Sequence, residues 1–163
     1  MLVLRPWEGE LEEGPGSVTT VVARVVDGDT VEAVVDGELE DVRLIGVDTP
    51  ETVKPGEPVQ CFGPQASRFT KQRLEGERVR LVFGAERRDL YGRLLAYVYL
   101  PRPTLRSSRQ PQSRMRLFNA DLVRRGFART LTIPPNDRFA PRLRQIELAA
   151  ARAGRGLWDA CGP

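Results

Sequence analysis

Histidine is absent from all 163 residues, and cysteine, methionine and tryptophan occur only twice each. The missing imidazole excludes a Ser-His-Asp triad, a histidine-ligated zinc site and histidine acid–base catalysis. Cys61 and Cys161 are too few to build a zinc or iron–sulfur site of their own. No apolar run approaches the roughly 18 residues of a membrane helix, and the apolar stretch at Met1–Pro6 is too short for a secretory signal. Lysine is scarce as well: 23 of the 25 basic residues are arginine. What remains for an enzyme is carboxylate, guanidinium, phenol, or a metal held by oxygen.

What is present suits one soluble-type domain of mixed composition, 40% hydrophobic and 29% charged. The formal charge of +3 hides a strong asymmetry. Residues 1–60 carry 14 acidic and 4 basic side chains, whereas residues 61–163 carry 8 acidic and 21 basic ones. An acidic first third followed by a basic remainder suits a cation site facing a polyanion. Arginine is the side chain best shaped to fork onto phosphate, although an arginine-rich genome would raise its count too.

Residues 1–17 lack periodicity and read as a tail or linker; residues 18–163 read as the domain. β-Branched residues predict strands at Val18–Val26, Thr30–Val35 and Leu39–Val47, with Asp36-Gly37 as a two-residue hairpin turn. A loop spans Glu51–Gln60. Pro64 then opens a helix whose Ala66, Phe69, Thr70 and Leu74 fall near helical spacing. Strands return at Arg78–Phe83 and Leu94–Leu100. A short helix at Phe118–Arg125 stops at Gly126, residues Phe127–Ile133 are strand-like, and a helix at Pro141–Ala153 puts Leu143, Ile146, Ala150 and Ala153 on one stripe. Leu157-Trp158 is expected to fold back onto the core. Five antiparallel strands, a helix between the third and fourth, and helices after them predict an α+β fold, a five-stranded OB-type barrel with three helices.

Chemistry concentrates in four segments: Asp27-Gly-Asp-Thr30, Arg43, Asp48-Thr-Pro-Glu51 and Asp89-Leu-Tyr-Gly-Arg93. Each has an ordinary explanation alone. Asp-Gly and Thr-Pro make turns, a strand arginine pairs with a neighbouring carboxylate, and Tyr-Gly-Arg turns into a strand. Together they deliver carboxylates and guanidinium groups at three separated strand ends. Asp29, Asp48 and the carbonyl of Thr49 are oxygen donors suited to a hard cation. Two arginines and a carboxylate that orients water are what phosphoryl transfer requires.

Val26-Asp-Gly-Asp-Thr-Val31, Arg43-Leu-Ile-Gly-Val-Asp-Thr-Pro-Glu51, Phe62-Gly-Pro-Gln-Ala-Ser67 and Asp89-Leu-Tyr-Gly-Arg-Leu-Leu-Ala-Tyr97 resemble the staphylococcal nuclease family. Asn119–Ala128 and Gly156-Leu-Trp158 extend the resemblance over roughly Val18–Trp158. It implies an OB-fold barrel with three helices that hydrolyses DNA and RNA with Ca²⁺ and leaves 3′-phosphates. It also implies Asp29, Asp48 and Thr49 as metal ligands, Glu51 as the group that activates or orients water, and Arg43 and Arg93 as transition-state arginines. Tyr91 matches a phosphate-contacting tyrosine, Asp89 joins it in holding substrate, and Asp27 supports the ligands from behind. A monomer is expected. A binding module on the same barrel, for nucleic acid or protein, is the alternative, but inactive relatives typically lose the arginines or acidic ligands that this chain keeps.

Departures from the family pattern fall on substrate grip. Leu90 stands where the best-known member has lysine, and Thr132 and Pro134 stand where it has two nucleotide-pocket tyrosines. Cys61 and Cys161 read either as a disulfide, with a secreted or cell-surface location, or as two free thiols in a cytoplasmic protein. The insert 101–116 carries Arg102, Arg106, Arg109, Arg114 and Arg116. It reads either as a surface loop or as a clamp on phosphates. The clamp reading predicts that deleting the insert flattens the salt dependence of DNA cleavage; an unchanged slope of log rate against log salt contradicts it.

Overall fold

The computed structural model describes residues 16–101 and 115–162. Residues 1–15 of the expected tail and most of the arginine-rich insert, including Arg102, Arg106, Arg109 and Arg114, lie outside the described residues, and Ser17, the last residue assigned to the tail, already belongs to the first strand.

Among the described residues, eight strands and four helices follow in the order β1 (Ser17–Asp27), β2 (Thr30–Val35), β3 (Glu38–Leu44), β4 (Val47–Asp48), α1 (Gly63–Leu74), β5 (Arg78–Arg88), β6 (Leu94–Pro101), β7 (Met115–Leu117), α2 (Phe118–Arg124), β8 (Arg129–Thr130), α3 (Ala140–Arg152) and α4 (Leu157–Ala160). The Asp36-Gly37 turn takes positive φ at both residues, 52° and 82°, as a two-residue hairpin between β2 and β3 demands. β1 bends through two register shifts. Its first half thereby pairs with β5 and its second half with β2. β5 pairs with β6, and β6 closes the ring on β3, so that β1, β2, β3, β6 and β5 form the barrel.

The closing pair is parallel, with Val42, Arg43 and Leu44 opposite Leu94, Leu95 and Ala96. This corrects the expectation of an all-antiparallel ring: the long excursion through α1 and β5 returns the chain running the same way as β3. The third strand also ends earlier than expected. Gly46, at φ 81°, turns the chain after Leu44 and starts β4, which pairs with β8. Only Arg129–Thr130 of the strand-like Phe127–Ile133 becomes a strand.

Alternation along the strands fills the barrel with Val31, Ala33, Val42, Leu81, Leu94 and Val98, each at most 1% exposed. α1 covers one end with Ala66, Thr70 and Leu74, while Phe69 stacks on Phe127 at 4.4 Å between centroids. Leu143, Ile146 and Ala150 make the buried stripe of α3, but Ala153 lies beyond the helix and is exposed. Asn119 on α2 is fully buried. Its Oδ1 accepts from Val98 N at 2.9 Å and its Nδ2 donates to Ile45 O at 2.8 Å, tying the helix to the barrel. Arg116, assigned to the insert, sits in β7 and pairs with Asp121 at 2.8 Å.

Burial pushes the Tyr99 phenol up to about 12. The unfolded chain releases that proton near pH 10, so stability complete below pH 10 is lost as pH rises toward 12, by about 2–3 kcal/mol. Urea unfolding of Tyr99→Phe at about pH 9 and pH 11.5 should show most of this alkaline loss removed. An equal loss in the variant and the parent contradicts the assignment.

Candidate active site

The candidate side chains stand near the ends of strands that the barrel brings to one corner. Asp27 and Asp29 flank Gly28 in the turn between β1 and β2. A Cβ on Gly28 would lie 2.7 Å from Thr49 Oγ1 and 2.9 Å from Thr49 Cβ, so only glycine lets Thr49 lie against this turn. The turn is bolted on three sides. Thr49 N donates to Asp29 Oδ2 at 3.0 Å, Leu44 N donates to Asp29 O at 2.9 Å, and Thr70 Oγ1 of α1 donates to Gly28 O at 2.7 Å. Thr30 Oγ1 donates to Asp29 Oδ1 at 3.0 Å.

Arg43, only 13% exposed at its side chain, bridges the corner. Its Nη1 donates to Leu44 O at 2.7 Å and Val47 O at 2.8 Å, which fixes the guanidinium plane. Its Nη2 then lies 3.3 Å from Asp29 Oδ2 and 3.5 Å from Asp48 Oδ1. Two carboxylates thus converge on one cationic nitrogen. Desolvation first, then the Asp29 charge, push the Asp48 carboxyl above its usual range, against the pull of Arg43.

Asp27 sits behind this pair. Its Oδ1 accepts from Gly28 N at 2.9 Å and Thr52 Oγ1 at 2.6 Å, and burial pushes its carboxyl up despite them. Glu51 follows β4, and its Oε1 accepts from Val53 N at 3.0 Å. Its backbone N donates to Gln60 Oε1 at 2.9 Å.

Across the corner, the turn before β6 is built by Asp89. Its Oδ1 accepts from Tyr91 N at 2.9 Å and Arg93 N at 3.0 Å, and its Oδ2 accepts from Arg93 Nε at 2.7 Å. Both oxygens face the turn, so Asp89 shapes the loop and aims Arg93. Tyr91 and Leu90 project outward, 84% and 100% exposed, and the Arg93 guanidinium lies 5.3 Å over the Tyr91 ring. A cavity of about 420 Å³ opens between the two halves, lined by Arg43, Arg93, Tyr91, Leu131, Ile133 and Asn136 among others. Thr132 and Pro134 do not line it. Their neighbours Leu131 and Ile133 supply an aliphatic wall instead, which counting aromatic positions along the sequence had missed.

The carboxylates of Asp29 and Asp48 converge on one cationic nitrogen, and hard cations take such oxygens. Arg43 Nη2 stands in for positive charge between the carboxylates, so the residues fit such an ion. Among the described residues no cluster of three His, Cys, Asp or Glu side chains forms a metal site. Away from the corner the structure joins Cys61 to Cys161, with Cα atoms 5.8 Å apart. Gln60 drew no notice in the sequence because a lone glutamine in a loop carries no pattern.

The family described as Staphylococcal nuclease homologue matches residues 41–160. A thermonuclease of Staphylococcus intermedius is 44% identical over 139 residues, covering 85% of this chain and 75% of that relative. A thermonuclease of Staphylococcus hyicus is 40% identical over 141 residues, covering 86% of this chain and 76% of the relative. Endonuclease YncB of Bacillus subtilis (strain 168) is 33% identical over 147 residues, covering 89% of this chain and 64% of the relative.

Gly28→Ala should force Thr49 off the turn. We expect a destabilisation of about 1–3 kcal/mol, the usual cost of overpacking, in urea unfolding of the metal-free protein. A change below about 0.5 kcal/mol would show that the turn yields freely.

Proposed function

Because the chain belongs to the staphylococcal nuclease family, we propose that it is a nuclease that hydrolyses phosphodiester bonds in DNA and RNA, requires Ca²⁺, and leaves 3′-phosphate ends. The observation that carries this reading is the corner itself. Asp29 and Asp48 converge on one positive nitrogen of Arg43, while Arg43 and Arg93 line one cavity.

Asp29, Asp48 and the Thr49 carbonyl would hold the calcium. When bound, the ion neutralises phosphate charge and polarises a phosphoryl oxygen as a Lewis acid. Arg43 and Arg93 bind the equatorial oxygens, where charge concentrates in the transition state. Glu51 orients the attacking water, with its carboxylate steered by Val53 N. The bond from phosphorus to the 5′ oxygen breaks, and Arg93 supports that leaving oxygen. Tyr91, projecting at the mouth, contacts phosphate, and Asp89 serves substrate binding through the turn that presents Tyr91 and Arg93. Asp27 keeps the Gly28 turn in shape behind the ligands. The disulfide supports work in an oxidising compartment, as for a secreted protein.

Leu90, Leu131 and Ile133 offer bases an aliphatic surface in place of an aromatic one. Base–aromatic stacking is worth about 1–3 kcal/mol per base, so mononucleotides bind weakly while longer strands are cut.

Cleavage of single-stranded DNA should require added calcium and stop with EDTA. Glu51→Gln and Arg93→Ala should each lower kcat by about 10²–10⁴-fold. Calcium-independent cleavage, or none at all beside retained nucleic-acid binding, overturns the reading, the latter in favour of a binding module.

A further inference from the structure

Glu51 heads a segment that has little to hold it. Residues 51–62 contain no helix or strand, and residues 53–61 are exposed. Segments with few buried contacts open locally at low cost. Yet the two main-chain polar groups of Glu51 are both gripped by one residue. Glu51 N donates to Gln60 Oε1 and Gln60 N donates to Glu51 O, each at 2.9 Å. Gly63 allows this close return, since a Cβ there would lie 3.0 Å from Glu51 O.

The residue after Gln60 is Cys61, bonded to Cys161 a hundred positions away. Cys161 caps α4, where its N donates to Leu157 O at 2.9 Å. α4 is anchored in turn: Leu157 is 1% exposed and its N donates to Gly126 O at 2.8 Å. Gly126 and Gly156 cross so closely that a Cβ on either would collide with the other strand's carbonyl oxygens, at Arg155 and Gly126. Beside them the Arg129 guanidinium lies 4.5 Å over the Trp158 ring, and Arg129 pairs in register with Asp48. Between the Glu51 segment and α4 lies a cavity of about 190 Å³, bordered by Asp48, Thr49, Pro50, Gln60, Arg129 and Leu157. The disulfide is the covalent tie across that space, beside the stack of Phe62 on Phe127 at 5.5 Å.

We propose that Gln60 is a positioning residue for Glu51, and that the Cys61–Cys161 disulfide keeps Gln60 in place, so that reducing it lowers nuclease turnover without unfolding the barrel. The inference rests on the reading of Glu51 given above. In the reductive step a dithiol such as dithiothreitol supplies two electrons and two protons. The Cys61–Cys161 bond becomes two thiols, and the reagent closes to its own cyclic disulfide.

The test compares oxidised protein, reduced protein, the Cys61→Ser/Cys161→Ser double variant and Gln60→Ala. kcat and KM are measured on single-stranded DNA with saturating calcium, well below each melting temperature. Misplacing a catalytic group by about 1 Å can cost 10²-fold, and partial release should lower kcat about tenfold, with KM moving by less than about twofold. Repeated in the Glu51→Gln background, the same changes should lower kcat no further, because they act through Glu51. Independently, amide exchange at Glu51 and Gln60 should quicken about tenfold on reduction while Val31 and Ala96 in the barrel hold. An unchanged kcat on reduction, equal losses in both backgrounds, or unaltered Glu51 and Gln60 exchange overturns the clamp. If Glu51→Gln alone retains parental kcat, the role given to Glu51 falls, and the exchange measurement decides the clamp by itself.

Discussion

The parallel pairing of β3 with β6 is the constraint on which the rest of the molecule depends. It closes the barrel, and it sets Arg43 opposite Leu95, two residues beyond Arg93. Two guanidinium groups separated by fifty residues of chain therefore reach the same cavity. The same closure brings Leu44 alongside Ala96, and Ile45 N donates to Ala96 O at 3.0 Å just before the chain turns at Gly46. That turn throws Asp48 back toward Asp29. Without the closure of β3 on β6, Arg43 and Arg93 would not face one cavity.

Charge is arranged around that corner with deliberate imbalance. Asp27, Asp29, Asp48 and Glu51 crowd one side, and Arg43 alone lies between Asp29 and Asp48. Burial first raises the carboxyls of Asp27 and Asp48, and the charges of Asp29 and Glu51 add to that rise. An oxygen-loving cation would relieve the repulsion and free Arg43 to face phosphate. Asp89, whose two oxygens are taken by its own turn, spends no charge on this side and holds Arg93 ready on the other.

Local chemistry made much of this legible in the sequence. Asp36-Gly37 fixed its hairpin because few residues tolerate positive φ twice in succession, and Pro64 opened α1 because its missing N–H is harmless in a first turn. The four segments rich in carboxylate and arginine were legible through their spacing at strand ends, and the structure brings Asp29, Arg43 and Asp48 together. What stayed hidden depends on long-range geometry. The parallel closure follows from where β5 returns the chain, which no local pattern records. Leu131 and Ile133, just beyond the end of β8 at Thr130, line the cavity where Thr132 and Pro134 do not. Gln60 matters only through the backbone it meets. The insert 102–114 lies outside the described residues, so its two readings stand as the sequence left them.

Arg43 Nη2 bridges Asp29 and Asp48, and the proposed function makes this pair of carboxylates a cation site. Calorimetric titration of calcium into the parent protein and into Asp48→Asn, without nucleic acid, tests it most directly. One calcium should bind the parent, and the variant should bind at least about tenfold more weakly, as expected when a hard cation loses an anionic oxygen. Equal affinity in the two proteins would contradict the account.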